Sequence, residues 1–111
     1  MVMMPIKTVS VLNGSQGNWR PAAARRRRQR SDAFVLCPRA SLPCTVTMTR
    51  LSAGTLDDDN LRSALKSVRD GIADRLGIDD RDPRVSWAYA QAKCPRGKFG
   101  VRVEFESKQG I

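Results

Sequence analysis

Residues 44–80, CTVTMTRLSAGTLDDDNLRSALKSVRDGIADRLGIDD, change periodicity partway, and the fold is read from that change. Over Cys44–Arg50, Val46 and Met48 alternate with Thr45, Thr47 and Thr49, and β-branched residues dominate, which predicts a strand. Ser52-Ala53-Gly54-Thr55 breaks the alternation. From about Asn60 to Leu76, the apolar residues Leu61, Leu65, Val68, Ile72 and Leu76 recur at steps of three and four, forming the stripe of an amphipathic helix. Acids just ahead of it suit a helix start, and Gly77 suits its end. Arg62, Lys66, Arg69 and Arg75 fall mostly off the stripe.

Toward the carboxyl end, residues 84–93 alternate Val85, Trp87 and Tyr89 with small residues. Residues 99–106 alternate Phe99, Val101, Val103 and Phe105 with Gly100, Arg102, Glu104 and Glu106. Both read as strands, with Trp87, Tyr89, Phe99 and Phe105 assigned to the core, and Cys94-Pro95-Arg96-Gly97-Lys98 has hairpin character. Toward the amino end, residues 5–12 alternate weakly and predict a first strand, and Asn13 to Asn18 have loop chemistry. Pro21 fits a first helical turn, predicting a helix over about 21–35 that Pro38 ends; Trp19 suits either anchoring that helix against the sheet, the commoner role, or stacking on an unpaired base. The order strand, helix, strand, helix, strand, strand gives an α/β (α+β) domain over residues 1–111. It has a single mixed sheet with two helices and no internal repeat.

At 111 residues the chain has material for one core. Its formal charge is +9 and its pI near 10.5, a surplus that attracts phosphate polyanions. The charge is segregated. Residues 1–50 carry nine Lys or Arg against the single acid Asp32, whereas residues 51–111 carry eleven against ten acids. Cys37, Cys44 and Cys94 form no closely spaced pair and no histidine is present, which argues against a zinc site and for free thiols in a reducing cytoplasm. The missing histidine also removes Ser-His and Cys-His nucleophile systems, leaving carboxylates, lysines and metal for any catalysis. No stretch approaches the roughly 20 apolar residues of a membrane span, and the opening residues do not read as a signal peptide.

Leu56-Asp57-Asp58-Asp59-Asn60-Leu61 is the sharpest chemical feature. Three adjacent acids repel one another unless solvated or neutralised by a cation. If the segment is extended, Asp57 and Asp59 share one face and make a hard oxygen site suited to magnesium. A second cluster, Asp79-Asp80-Arg81-Asp82-Pro83, follows the helix, and the sequence alone does not bring the two together. Caps and turns account for either cluster taken singly. An EF-hand loop does not, because Leu61 stands where a third ligand is needed.

These residues resemble the RusA-type Holliday-junction resolvases of bacteria and phages. That family has a strand, then Asp-x-Asp-Asn-Leu, a helix, a glycine, a hydrophobic residue, Asp-Asp and a closing pair of strands. Here the matching residues are Asp57, Asp59, Asn60 and Leu61, then Gly77, Ile78, Asp79 and Asp80, within a motif-bearing core over 44–106. The resemblance implies a homodimeric, magnesium-dependent endonuclease acting on branched DNA, with manganese as a possible substitute. It implies Asp57, Asp59 and Asp80 as catalytic, metal-binding acids and Asp79 as an auxiliary ligand. The family's lysine, four residues after the second motif aspartate, corresponds to Ser63. Lys66 lies three residues further on, as either the displaced cation for the scissile phosphate or a solvated surface lysine.

The segment 1–40 holds Arg20, Arg25, Arg26, Arg27, Arg28 and Arg30, expected with Arg62 and Lys66 to contact phosphate. On a helix, Arg25 to Arg28 spread around most of the circumference, so they cannot form one stripe. A solvated basic arm is the bland alternative for this tract. Three functions compete: a structure-selective endonuclease, a non-catalytic nucleic-acid-binding protein whose acids are caps and turns, and a phage interaction protein with a basic arm.

Overall fold

The computed structural model describes residues 1–8 and 19–107, with the side chains of residues 19–22 outside that description. The elements are β1 (Val2–Met4), α1 (Trp19–Leu36), β2 (Cys44–Ser52), α2 (Asp58–Leu76), β3 (Val85–Lys93) and β4 (Gly100–Ser107). The first strand thus precedes the expected 5–12 segment, whose residues 5–8 are not in a strand and whose residues 9–12 lie outside the described residues. The loop expected over 13–18 and the anchoring side chain of Trp19 also lie outside them.

The strands form one mixed four-stranded sheet in the order β1-β4-β2-β3. β2 pairs in parallel with β3, Val46 opposite Trp87, and antiparallel with β4, Val46 opposite Phe105. The hairpin expected between β3 and β4 does not form, because β2 lies between them. The helix α2 makes the crossover that a parallel β2–β3 pair requires. β3 is therefore an edge strand.

Alternation sorts the sheet into two faces. Val46, Met48, Val101 and Val103 are fully buried on one, where α2 presents Leu61, Leu65, Val68 and Ile72 and α1 presents Ala33. The helical stripe read from the sequence is thus the core face, with Leu76 packed half-buried at its end. Trp87, Tyr89 and Phe105 also pack against this core, but Phe99 does not. It precedes β4 in the connection and is 49% exposed, which corrects its assignment to the core.

The two helices pack closely at Gly71. A Cβ there would collide with the Arg30 carbonyl oxygen and stand 2.8 Å from the Ala33 Cβ. Across the same contact, Arg30 forms a fork with Asp74, Nε to Oδ2 at 2.6 Å and Nη2 to Oδ1 at 2.9 Å. Cys37, just beyond α1, is buried, and burial pushes its thiol up to about 11. Among the described residues, no cysteine is in a disulfide. Among the described residues, no helix is long and apolar enough to cross a membrane.

Candidate functional site

The loop that delivers the first acids is fixed from two sides. Gln91 of β3 grips the Leu56 backbone, accepting its N–H at 2.9 Å and donating to its carbonyl at 2.6 Å. Arg50 of β2 donates from Nη1 to the Gly54 carbonyl at 3.3 Å. The chain then turns directly into α2. Asp57 is its N-cap, with Oδ1 accepting both the Asn60 backbone N–H and the Asn60 side-chain N–H at 2.9 Å. Asp58 and Asp59 occupy the first turn, where the helix dipole favours acids. Both are exposed and enter no ion pair among the described residues. The extended geometry expected to align Asp57 with Asp59 is therefore replaced by a helix start, because capping satisfies otherwise orphaned N–H groups.

At the far end, Gly77 adopts the left-handed conformation (φ 71°) that closes α2, with the Ile78 N–H returning to the Ala73 carbonyl at 3.0 Å. Asp79 then accepts the Arg81 N–H at 2.9 Å, which holds its carboxyl below the ordinary value. Asp80 meets Arg69 Nη2 at 3.0 Å, and its backbone carbonyl accepts the Trp87 indole N–H at 3.0 Å. Asp82 is locked to Arg84, whose hydrogen bonds push its carboxyl down to about 2.

A groove of about 570 Å³ runs along this end of α2, lined by Arg30, Lys66, Arg69, Asp74, Asp79 and Asp80 among others. It gathers four of the residues assigned from the sequence: Arg30, Lys66, Asp79 and Asp80. Lys66 leans toward Asp70 at 3.5 Å. Asp57 and Asp59 are not part of this groove. They stand at the start of the 19-residue α2 and Asp80 lies beyond its end, a helix rise of about 28 Å at 1.5 Å per residue. Among the described residues, no three of Asp, Glu, Cys or His come together in a way that could hold a metal ion. Within one chain, Asp57, Asp59, Asp79 and Asp80 do not fit a shared magnesium centre.

The basic residues divide as sharply. Gln29 and Ala33 are the buried positions among the described side chains of α1, while Arg25, Arg26, Arg27 and Arg28 are exposed and unpaired with any described carboxylate. Arg30 is committed to Asp74. Arg62 stands over the Tyr89 ring, 5.5 Å from its centroid. The Arg20 side chain lies outside those described.

Three positioning residues escaped the sequence reading: Arg50, Arg69 and Gln91. The Cys44, Val46, Met48 alternation carries Arg50 onto the core face, and the Val85, Trp87, Tyr89 alternation does the same for Gln91. A polar residue in a core register was therefore a legible signal. Arg69 could be found only from the fold, because its partners lie on β3 and beyond α2. Compared with protein-family models, curated proteins and solved structures, the chain matches none. The resolvase likeness therefore rests on its motif residues alone.

Proposed function

We propose that the chain binds nucleic acid through the exposed arginines of α1 and cleaves it as a two-fold pair of subunits, in the manner of the resolvases it resembles. The observation that carries the binding is the run Arg25 to Arg28, exposed and without carboxylate partners among the described residues. Four unneutralised guanidinium groups on one turn are suited to phosphate, which rewards each contact by releasing counterions.

Cleavage needs the two acidic clusters in one place, and a second copy supplies a route. β3 is an edge strand of the described sheet, and the outer side of such a strand offers backbone N–H and C=O groups for pairing. Antiparallel pairing of β3 with its symmetry mate would extend the sheet and lay the two α2 helices side by side in opposite directions. The Asp57–Asp59 end of one chain would then face the Asp79–Asp80 end of the other. Lys66 lines the groove into which such a site would open.

A non-catalytic binding protein is the second reading. Its support is that, in one chain, Asp57 works as a cap and Asp80 as the partner of Arg69. Incubation with four-way, forked and linear DNA in magnesium or manganese, beside EDTA controls, separates the two. Cleavage of a branched substrate that stops in EDTA supports the first. Tight binding with every substrate intact under every condition supports the second.

A further inference from the structure

Arg50 is a buried arginine with no carboxylate partner among the described residues. It is 8% exposed on the core-facing side of β2, with Nε donating to Thr8 Oγ1 at 3.0 Å and Nη1 to the Gly54 carbonyl at 3.3 Å. No ion pair reaches it among the described residues. Burial pulls its pKa below the ordinary arginine value. A guanidinium taken from water without a counter-charge is destabilising, so its retention calls for an anion.

The surroundings supply room for one. Arg50 borders a cavity of about 290 Å³ whose other charged lining residues, among the described residues, are Lys7 and Lys98, with no acid. Phe99 forms one wall. The same ring lines a neighbouring cavity of about 370 Å³, beside Pro5, Ile6, Arg25 and Arg28, where Asp32 is the one acid. Gln29 donates to the Lys7 carbonyl at 2.8 Å and so fixes the backbone of a residue common to both cavities. Phe99 gains nothing from the core, and its exposed ring is free to stack. Each cavity is near the lower end of the roughly 300–1,000 Å³ typical of small-ligand sites.

We propose that the two adjoining cavities form a subsite for one unpaired nucleotide of a nucleic-acid strand. The phosphate sits among Arg50, Lys7 and Lys98. The unstacked base lies against Phe99 in the neighbouring cavity, with Arg25 and Arg28 at its edge. This assignment rests on the nucleic-acid reading above but is independent of cleavage. It gives the protein a preference for strands with unpaired bases, because a base held in a duplex cannot reach the ring.

The test is fluorescence anisotropy in EDTA, which removes any cleavage, with labelled oligothymidylate and a duplex of equal length. Phe99→Ala should weaken single-strand binding roughly tenfold while changing duplex binding less than about twofold. Lys98→Ala should lower the salt slope for the single strand by about 0.7. Both residues are exposed, and circular dichroism checks their folds; Arg50→Met should abolish the preference wherever it folds. Binding of the single strand by Phe99→Ala and Lys98→Ala at wild-type strength would overturn the proposal, as would equal losses on both substrates. Thymidine monophosphate and inorganic phosphate serve as competitors. Displacement only at large excess over strand nucleotides supports a strand site, whereas displacement by the monophosphate at equal concentration would make the ligand a free nucleotide and overturn the strand assignment.

Discussion

Arg69 ties the turn after α2 to the edge of the sheet: its Nη2 stands 3.0 Å from the Asp80 carboxylate while Nη1 donates to the Tyr89 hydroxyl at 2.9 Å. One side chain thus fixes both the direction of Asp80 and the seat of the loop on β3. Arg69→Met should lower stability by about 1–2 kcal/mol, because the Tyr89 hydroxyl and Asp80 both lose a donor. Asp80→Asn keeps the Tyr89 bond and should cost less than about 1 kcal/mol. Urea unfolding of the two variants checks the order, and equal losses would contradict it.

The exposed arginines of α1 are expected to set the salt dependence of binding. Replacing Arg26, Arg27 and Arg28 with alanine should weaken DNA affinity and reduce the log–log salt slope by about 0.9 for each lost phosphate contact. The fold should hold, since none of the three is buried. An unchanged slope would show that the tract does not touch phosphate.

Gly71 sets the distance between the helices. Gly71→Ala would normally favour a helix, but the added methyl meets the Arg30 backbone and the Ala33 methyl. Overpacking should therefore win, with a loss of about 1–3 kcal/mol in thermal or urea unfolding. A stabilised variant would mean that α1 can move away without loss.

The Arg30–Asp74 fork makes the helix packing sensitive to acid. The hydrogen bond from Arg30 holds the Asp74 carboxyl below its ordinary value. A group with a depressed folded-state pKa contributes stability above its unfolded pKa, and that contribution is lost as pH falls through the folded one. Both side chains are substantially exposed, so the effect is small. Melting curves of the wild type and Asp74→Asn should converge on acidification and separate toward neutral pH. Parallel curves at all pH values would remove the fork from the stability account.

Much of this fold was legible because burial follows period. The α2 stripe Leu61, Leu65, Val68 and Ile72 and the β2 alternation of Val46 and Met48 both became core. Strand neighbours were less legible, since alternation marks a face without naming the strand beside it. Cys94 to Lys98 thus suggested a hairpin, although β2 separates β3 from β4. In the candidate site, Asp57, Asp58 and Asp59 were visible as a charge cluster, but their conformation was not. Capping by Asp57 overrode the extended geometry. The signal of Arg50 was a lone charge in an apolar register, which is fainter than a charge cluster.

Active sites completed across two chains are tested most directly by mixing inactive variants. Asp59→Asn and Asp80→Asn should each abolish metal-dependent cleavage of branched DNA. If each site takes Asp57 and Asp59 from one chain and Asp80 from the other, a mixed pair retains one site with all its acids. Subunit exchange should then restore about a quarter of the wild-type activity, since about half the pairs are mixed and each has one intact site. Recovery on mixing is the predicted result. A wild type that cuts no branched substrate, or mixed variants that stay inactive despite demonstrated exchange, would contradict it.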